Sequence, residues 1–144
     1  MKIMAVDYGD ARTGIAVCDR TEFLASPVGT VEEKDPAILA MKIAHLANEY
    51  EVGEIVIGYP VNMNGTVGPR AEKCKAFASL VESVTELPVR LWDERSTTVE
   101  AHGYLNATNV RGKKRKAVVD TVAATIILES YLEYRNKKKQ GDNK

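Results

Sequence analysis

KIMAVDYGDARTGIAVCDR, residues 2–20, holds two short apolar runs separated by a polar stretch that contains Gly9. The pattern predicts strands over 2–7 and 13–19 joined by a tight turn around 9–12, a hairpin. The first run closes on a carboxylate, Asp7. At the lip of a buried sheet an uncompensated negative charge is costly, so Asp7 needs a partner. The same stretch excludes a dinucleotide-binding turn: DYGDARTG lacks the GxGxxG spacing and runs into a strand rather than a helix.

Working outward, a third strand is expected near PVGTVE (27–32). DPAILAMKIAHLANEYE (35–51) then predicts a helix, with Asp35 as its cap, Pro36 in the first helical position and apolar residues recurring at Leu39, Ile43, Leu46 and Ala47. EIVIGYP (54–60) is a buried strand and VNMNGTVGP a loop. A second helix is expected over 70–84, with Ala71, Cys74, Phe77, Ala78 and Val81 on one stripe. PVRLWDER (88–95) gives another strand, 98–105 a short helix, and 114–135 a final helix that is apolar on nearly all sides between Ala117 and Leu128. Three strands able to pair as a meander, then alternating helices and strands, imply an α/β fold: a mixed sheet with helices on both faces. The 144 residues suit one compact domain, over 1–135, followed by a basic tail at 136–144.

Cys18 and Cys74 have neither the spacing nor the histidine partners of a zinc site, and read as buried thiols in a reducing cytoplasm. AVVDTVAATIIL (117–128) is too short to span a bilayer and carries an acid, so no membrane association is expected. His45, His102 and Trp92 read as structural. A net charge of zero conceals an asymmetry: residues 1–110 carry ten basic and sixteen acidic side chains, residues 111–144 ten basic and four acidic. RGKKRK (111–116) is therefore a candidate phosphate-tracking segment, with a solvated loop as the plainer reading.

Three acidic positions share one physical situation. Asp7 ends the first strand, Asp93 and Glu94 end the strand VRLW, and Asp120 interrupts the apolar part of the last helix. If the first and last strands lie near the sheet centre with the final helix packed across them, these carboxylates converge. At about 4 Å two unit charges repel by roughly 4 kcal/mol at an effective dielectric of 20, so such a cluster protonates, spreads or holds cations. Oxygen-only ligands suit Mg²⁺ or Mn²⁺ rather than zinc. Each acid also has a plainer role: an Asx turn for Asp7, a cap or an ion pair with Arg95 for Asp93 and Glu94, the helix dipole for Asp120. GTVGPR and RSTT add Arg70, Arg95, hydroxyls and backbone amides suited to phosphate, or to turns and caps.

VDYGDARTGIAV, IVIGYPVNMNGT, DERSTT and KAVVDTVAATIIL, in that order from Lys2 to about Tyr134, resemble the successive motifs of the YqgF/RuvX family of Holliday junction resolvase-like proteins, now regarded as pre-16S rRNA nucleases. The resemblance implies an RNase H-like fold, a five-stranded mixed sheet whose first three strands are antiparallel, with helices on both faces. It implies a phosphodiesterase using Mg²⁺ or Mn²⁺, with Asp7, Glu94 and Asp120 as catalytic metal ligands and Asp93 as a neighbour of the second. Related resolvases place their second acid after the fourth strand, where this chain has GYPVNMNG and no acid. The implied substrate is structured RNA, the 5′ end of precursor 16S rRNA, free or within a pre-ribosomal particle. Arg12, Arg70, Arg95, Arg111, Lys113, Lys114, Arg115 and Lys116 are its expected contacts, and the expected form is a monomer or dimer. Branched DNA and a non-catalytic RNA- or transcription-complex-binding role are the alternatives.

Overall fold

The structure, a computed structural model, describes the backbone of residues 1–59, 68–93 and 112–142, and side chains over 1–59, 68–93 and 122–138. Among the described residues five strands and three helices follow in the order β1 (Ile3–Asp7), β2 (Arg12–Cys18), β3 (Ala25–Glu32), α1 (Pro36–Glu49), β4 (Glu54–Tyr59), α2 (Pro69–Thr85), β5 (Val89–Asp93) and α3 (Gly112–Asp142). The strands form one sheet in the order β3-β2-β1-β4-β5. β1 pairs antiparallel with β2 and β2 with β3, whereas β1–β4 and β4–β5 are parallel. The expected mixed sheet with an antiparallel opening meander is therefore present. β5, however, is an edge strand, separated from the central β1 by β4, not a second central strand.

Strand alternation assigns the two faces. Met4, Val6, Ile15, Val17, Ile55 and Ile57 point into a core shared with α1 and α2, where Leu39, Ile43, Phe77 and Val81 close it. Ile3, Ala5, Ala16, Cys18 and Val56 point the other way and pack against Ala124, Ile127, Leu128, Tyr131 and Leu132 of α3. Each fully buried aliphatic side chain of this kind contributes about 1.5–3 kcal/mol of hydrophobic stabilisation. Ala5, Ala16 and Cys18 on the sheet and Ala124 on α3 are small, which lets the helix lie close to the strands. Cys18 and Cys74 are buried free thiols, as expected. His45 is an exposed residue of α1 rather than a core one.

Local chemistry sets the boundaries. Asp35 caps α1, its Oδ1 accepting from the amides of Ala37 at 2.9 Å and Ile38 at 3.4 Å, while Pro36 needs no amide partner. α2 starts behind Gly68 with Pro69 in its first turn. The β2–β3 pairing slips between Ile15 and Ala16, which face Gly29 and Pro27, and Gly29 takes the kink at φ 146°. α3 begins before the expected Lys114 and runs on to Asp142, through most of the stretch read from sequence as a tail. The helix expected over 98–105 lies outside the described residues. Among the described residues no helix is long and apolar enough to cross a membrane.

Candidate active site

The carboxyl ends of β1, β4 and β5 form one edge of the sheet, and Asp7 ends the central strand there. Asp7 shares the face of Ile3 and Ala5, which packs under α3, and it is half-buried. β1 and β2 separate just beyond it, because the register places Asp7 opposite Gly14 and the loop 8–11 closes the turn. That loop is tightly made. The Gly9 amide donates to Thr13 Oγ1 at 3.3 Å, and a Cβ on Gly9 would collide with the carbonyl of Arg12. Only glycine fits.

Arg70, from the first turn of α2, holds the loop from the other side. Its guanidinium donates to Asp10 Oδ1 at 2.8 Å and to the carbonyl oxygen of Tyr8, and it lies 5.1 Å from the centroid of the Tyr8 ring. That ring stacks on Phe77 at 4.1 Å and an interplanar angle of 5°. Burial raises the Tyr8 phenol above its ordinary pKa, with Arg70 opposing and Asp10 adding to the rise, so it stays neutral near pH 7. Arg70, expected from sequence to meet phosphate, thus binds the segment adjoining Asp7. Arg12 opens β2, half-buried opposite Glu32 of β3.

β5 ends at Asp93, opposite Tyr59. By alternation Asp93 falls on the face of Val89, which packs with the α1/α2 core, whereas Trp92 packs on the α3 side. Asp93 and Asp7 therefore belong to opposite faces. Trp92 Nε1–H donates to Ser130 Oγ at 3.0 Å, and its ring meets Tyr131 edge-on at 5.3 Å, fastening β5 to α3. Glu94, Arg95 and Arg111 lie outside the described residues. Asp120 and Lys113, Lys114, Arg115 and Lys116 belong to α3, but their side chains are likewise outside the description. Asp120 precedes by one turn of α3 the residue Ala124, which with Ile127, Leu128 and Tyr131 packs on the sheet. Among the described residues no group of three metal-ligating side chains occurs, and two of the three expected ligands are outside that set.

Sequence reasoning missed the groove beside this loop. About 510 Å³ in volume, it is lined by Tyr8, Asp10, Lys34, Pro36, Lys73, Ala76, Phe77 and Leu80. The helical spacing of 73, 76, 77 and 80 was its available signal.

Comparison with known proteins follows the same line. A relative from Halothermothrix orenii named "Putative pre-16S rRNA nuclease" is 45% identical over 137 residues, covering 95% of this chain and 98% of its own. Another of the same name, from a Geobacillus species, is 44% identical over 135 residues, with 92% and 98% covered. Among solved structures, T. thermophilus RuvC in complex with a Holliday junction substrate superposes with a TM-score of 0.62 at 9% identity, covering 95% of this chain and 96% of that one. The fowlpox virus Holliday junction resolvase gives 0.54 at 15% identity, with 93% and 99% covered. At such identities the likeness shows the fold, which is RNase H-like. The sequence model of the RuvX family, described as Holliday junction resolvase, matches residues 1–134, and the chain belongs to that family.

Proposed function

We propose that the protein is a divalent-metal-dependent nuclease that trims the 5′ end of precursor 16S rRNA in the cytoplasm. The observation that carries this reading is Asp7, a half-buried carboxylate ending the central strand of an RNase H-like sheet in a chain whose 44–45% identical relatives bear that name. Asp7, Glu94 and Asp120 would hold Mg²⁺ or Mn²⁺, and an all-carboxylate set fits those ions.

Backbone spacing supports the grouping. α3 is fastened by Tyr131, whose hydroxyl meets both Glu54 carboxylate oxygens at 3.1 and 3.2 Å. From Tyr131 back to Asp120 the helix rises about 16 Å at 1.5 Å per residue. From Ile3, which pairs with Glu54, to Asp7 is about 13 Å of strand. Asp120 and Asp7 then come level to within about one helical turn of 5.4 Å. Asp93 lies by alternation on the face opposite Asp7, which disfavours it as the second acid and leaves Glu94, the acid implied by the family motif.

Bound divalent ions supply an activated water and stabilise the leaving oxygen of an in-line displacement. The chain's residues orient the phosphodiester and hold the carboxylates in place, Arg70 doing so through the 8–10 loop. Basic residues at the start of α3 support an anionic partner: that turn carries no acid, and cations there oppose the helix dipole unless phosphate offsets them. Arg12, Arg95 and Arg111 are further proposed phosphate contacts.

The family's description favours a second reading, cleavage of branched DNA. Matched amounts of a 5′-extended 16S precursor and a four-way DNA junction, each with Mg²⁺ or Mn²⁺, separate the two. Cleavage of the precursor, abolished in Asp7→Asn with RNA binding retained, is expected. Junction cleavage alone, or equal cleavage by Asp7→Asn, overturns the proposal.

A further inference from the structure

We infer that the groove between the β1–β2 loop and helices α1 and α2 is a second nucleic-acid subsite, binding a single-stranded nucleotide segment of the RNA that flanks the scissile phosphate. The inference rests on the nuclease reading above. It concerns a surface on the other face of the sheet from Asp7.

The groove has the build of a base-and-phosphate site. Its volume of about 510 Å³ is within the ordinary range for small-ligand sites. Pro36, Ala76 and Leu80, backed by the buried Phe77, give an apolar wall suited to the face of a base. Tyr8 is held rigidly between the Phe77 ring and the Arg70 guanidinium, so that wall is formed before any ligand arrives. Lys34 and Lys73 stand at the mouth, both exposed. Lys34 has no ion-pair partner among the described residues, and Lys73 is 3.7 Å from Asp10, an acid already bonded to Arg70. The neighbouring acids are occupied: Glu33 accepts from Lys42 at 2.8 Å and Asp35 caps α1. The local balance therefore favours an anion beside an apolar surface, the chemistry of a nucleotide.

Position links the groove to the candidate site. Tyr8 directly follows Asp7 but turns to the opposite face, where it joins the α1/α2 core. A strand with one phosphodiester at Asp7 needs only to cross the rim of the sheet for an adjoining nucleotide to enter the groove. A duplex cannot do so, which predicts a preference for single-stranded flanks.

The test uses the full chain and a short oligouridylate carrying one 4-thiouridine, with binding read by fluorescence anisotropy in metal-free buffer across a salt series. Lys34→Ala/Lys73→Ala is expected to weaken binding roughly three- to tenfold. The salt slope should become shallower by about 1.4, at about 0.7 per single-strand phosphate contact. Photocrosslinks should map to Tyr8 or Leu80. Mn²⁺-dependent hydrolysis of bis(p-nitrophenyl) phosphate, which is too small to need the groove, should be unchanged. An equal loss in Lys137→Ala/Lys138→Ala, crosslinks that map elsewhere, or no oligonucleotide binding by the unaltered protein would each overturn the subsite. If the unaltered protein hydrolyses no phosphodiester while the groove pair still weakens RNA binding, the nuclease reading falls and the subsite stands.

Discussion

The two ends of the sheet treat carboxylates in opposite ways. At the amino ends of β1 and β4, Glu22 and Glu54 are each about 5% exposed, and their charges are met within the fold. Arg135 reaches Glu22 at 2.6 Å and Glu54 at 3.3 Å, Arg90 reaches Glu54 at 3.3 Å, and the Met1 ammonium stands 3.4 Å from Glu22. The hydrogen bond from Arg135 to Glu22 raises the guanidinium's already high pKa further, so this end keeps its charge. At the carboxyl ends, the nearby guanidinium of Arg70 goes to Asp10 and the Tyr8 carbonyl. Buried acids matched by arginine are a structural clasp. Asp7, half-buried at the carboxyl end of β1, is on the reading proposed here part of a site for a divalent ion.

The sharpest way to break that contrast is to neutralise one charged side chain at each end. Asp7→Asn should lower metal-dependent cleavage by roughly a thousandfold, about 4 kcal/mol of transition-state stabilisation, and leave the urea midpoint nearly unmoved. Arg135→Met should do the reverse. It leaves Glu22 and Glu54 under-compensated and costs about 3 kcal/mol in urea unfolding, with metal affinity of the folded protein retained. Equal effects of the two changes on both readouts would erase the distinction. Gly9→Ala tests the loop beside Asp7. Because its methyl meets the Arg12 carbonyl, cleavage should fall about a hundredfold through displacement of the carboxylate.

Smaller changes sharpen the picture away from the site. Asp35→Ala removes the α1 cap and should cost about 1 kcal/mol, measured by the same unfolding curve, with activity unaltered. The least effect is expected at Asp19. Its Oδ1 accepts from the Phe23 amide and the Thr21 hydroxyl, and these bonds depress its pKa below the ordinary 3.8. A depressed folded-state pKa stabilises above the unfolded value and is lost as pH falls through the folded one. Asp19→Asn should therefore lower stability slightly at neutral pH and converge with the unaltered protein as pH falls, flattening the acid limb of a stability–pH profile.

Much of this architecture was readable before any coordinates. Two short apolar runs split by a polar turn marked the central hairpin, and Asp35-Pro36 marked the start of α1 within a residue. The chain termini of elements were harder, because α3 owes its length past Arg135 partly to tertiary contacts: Asn136 Nδ2 donates to the Glu22 carbonyl at 3.2 Å. Strand order was hidden for the same reason, since nothing local in VRLWD says that β4 comes between it and β1. Asp7 could be singled out because a carboxylate closing an apolar run is locally anomalous. Arg70 could be noticed but not assigned, for its partners lie about sixty positions away, at Tyr8 and Asp10. The clasp of Glu22, Glu54 and Arg135 left no local trace at all, as each of those residues looks like ordinary surface charge in its own window.

The kinked outer strand has one further result. Pro27 lacks an amide hydrogen and Gly29 breaks the ladder two residues on, so β3 offers no continuous row of donors and acceptors to a foreign strand. That flank is a poor template for the addition of a foreign strand.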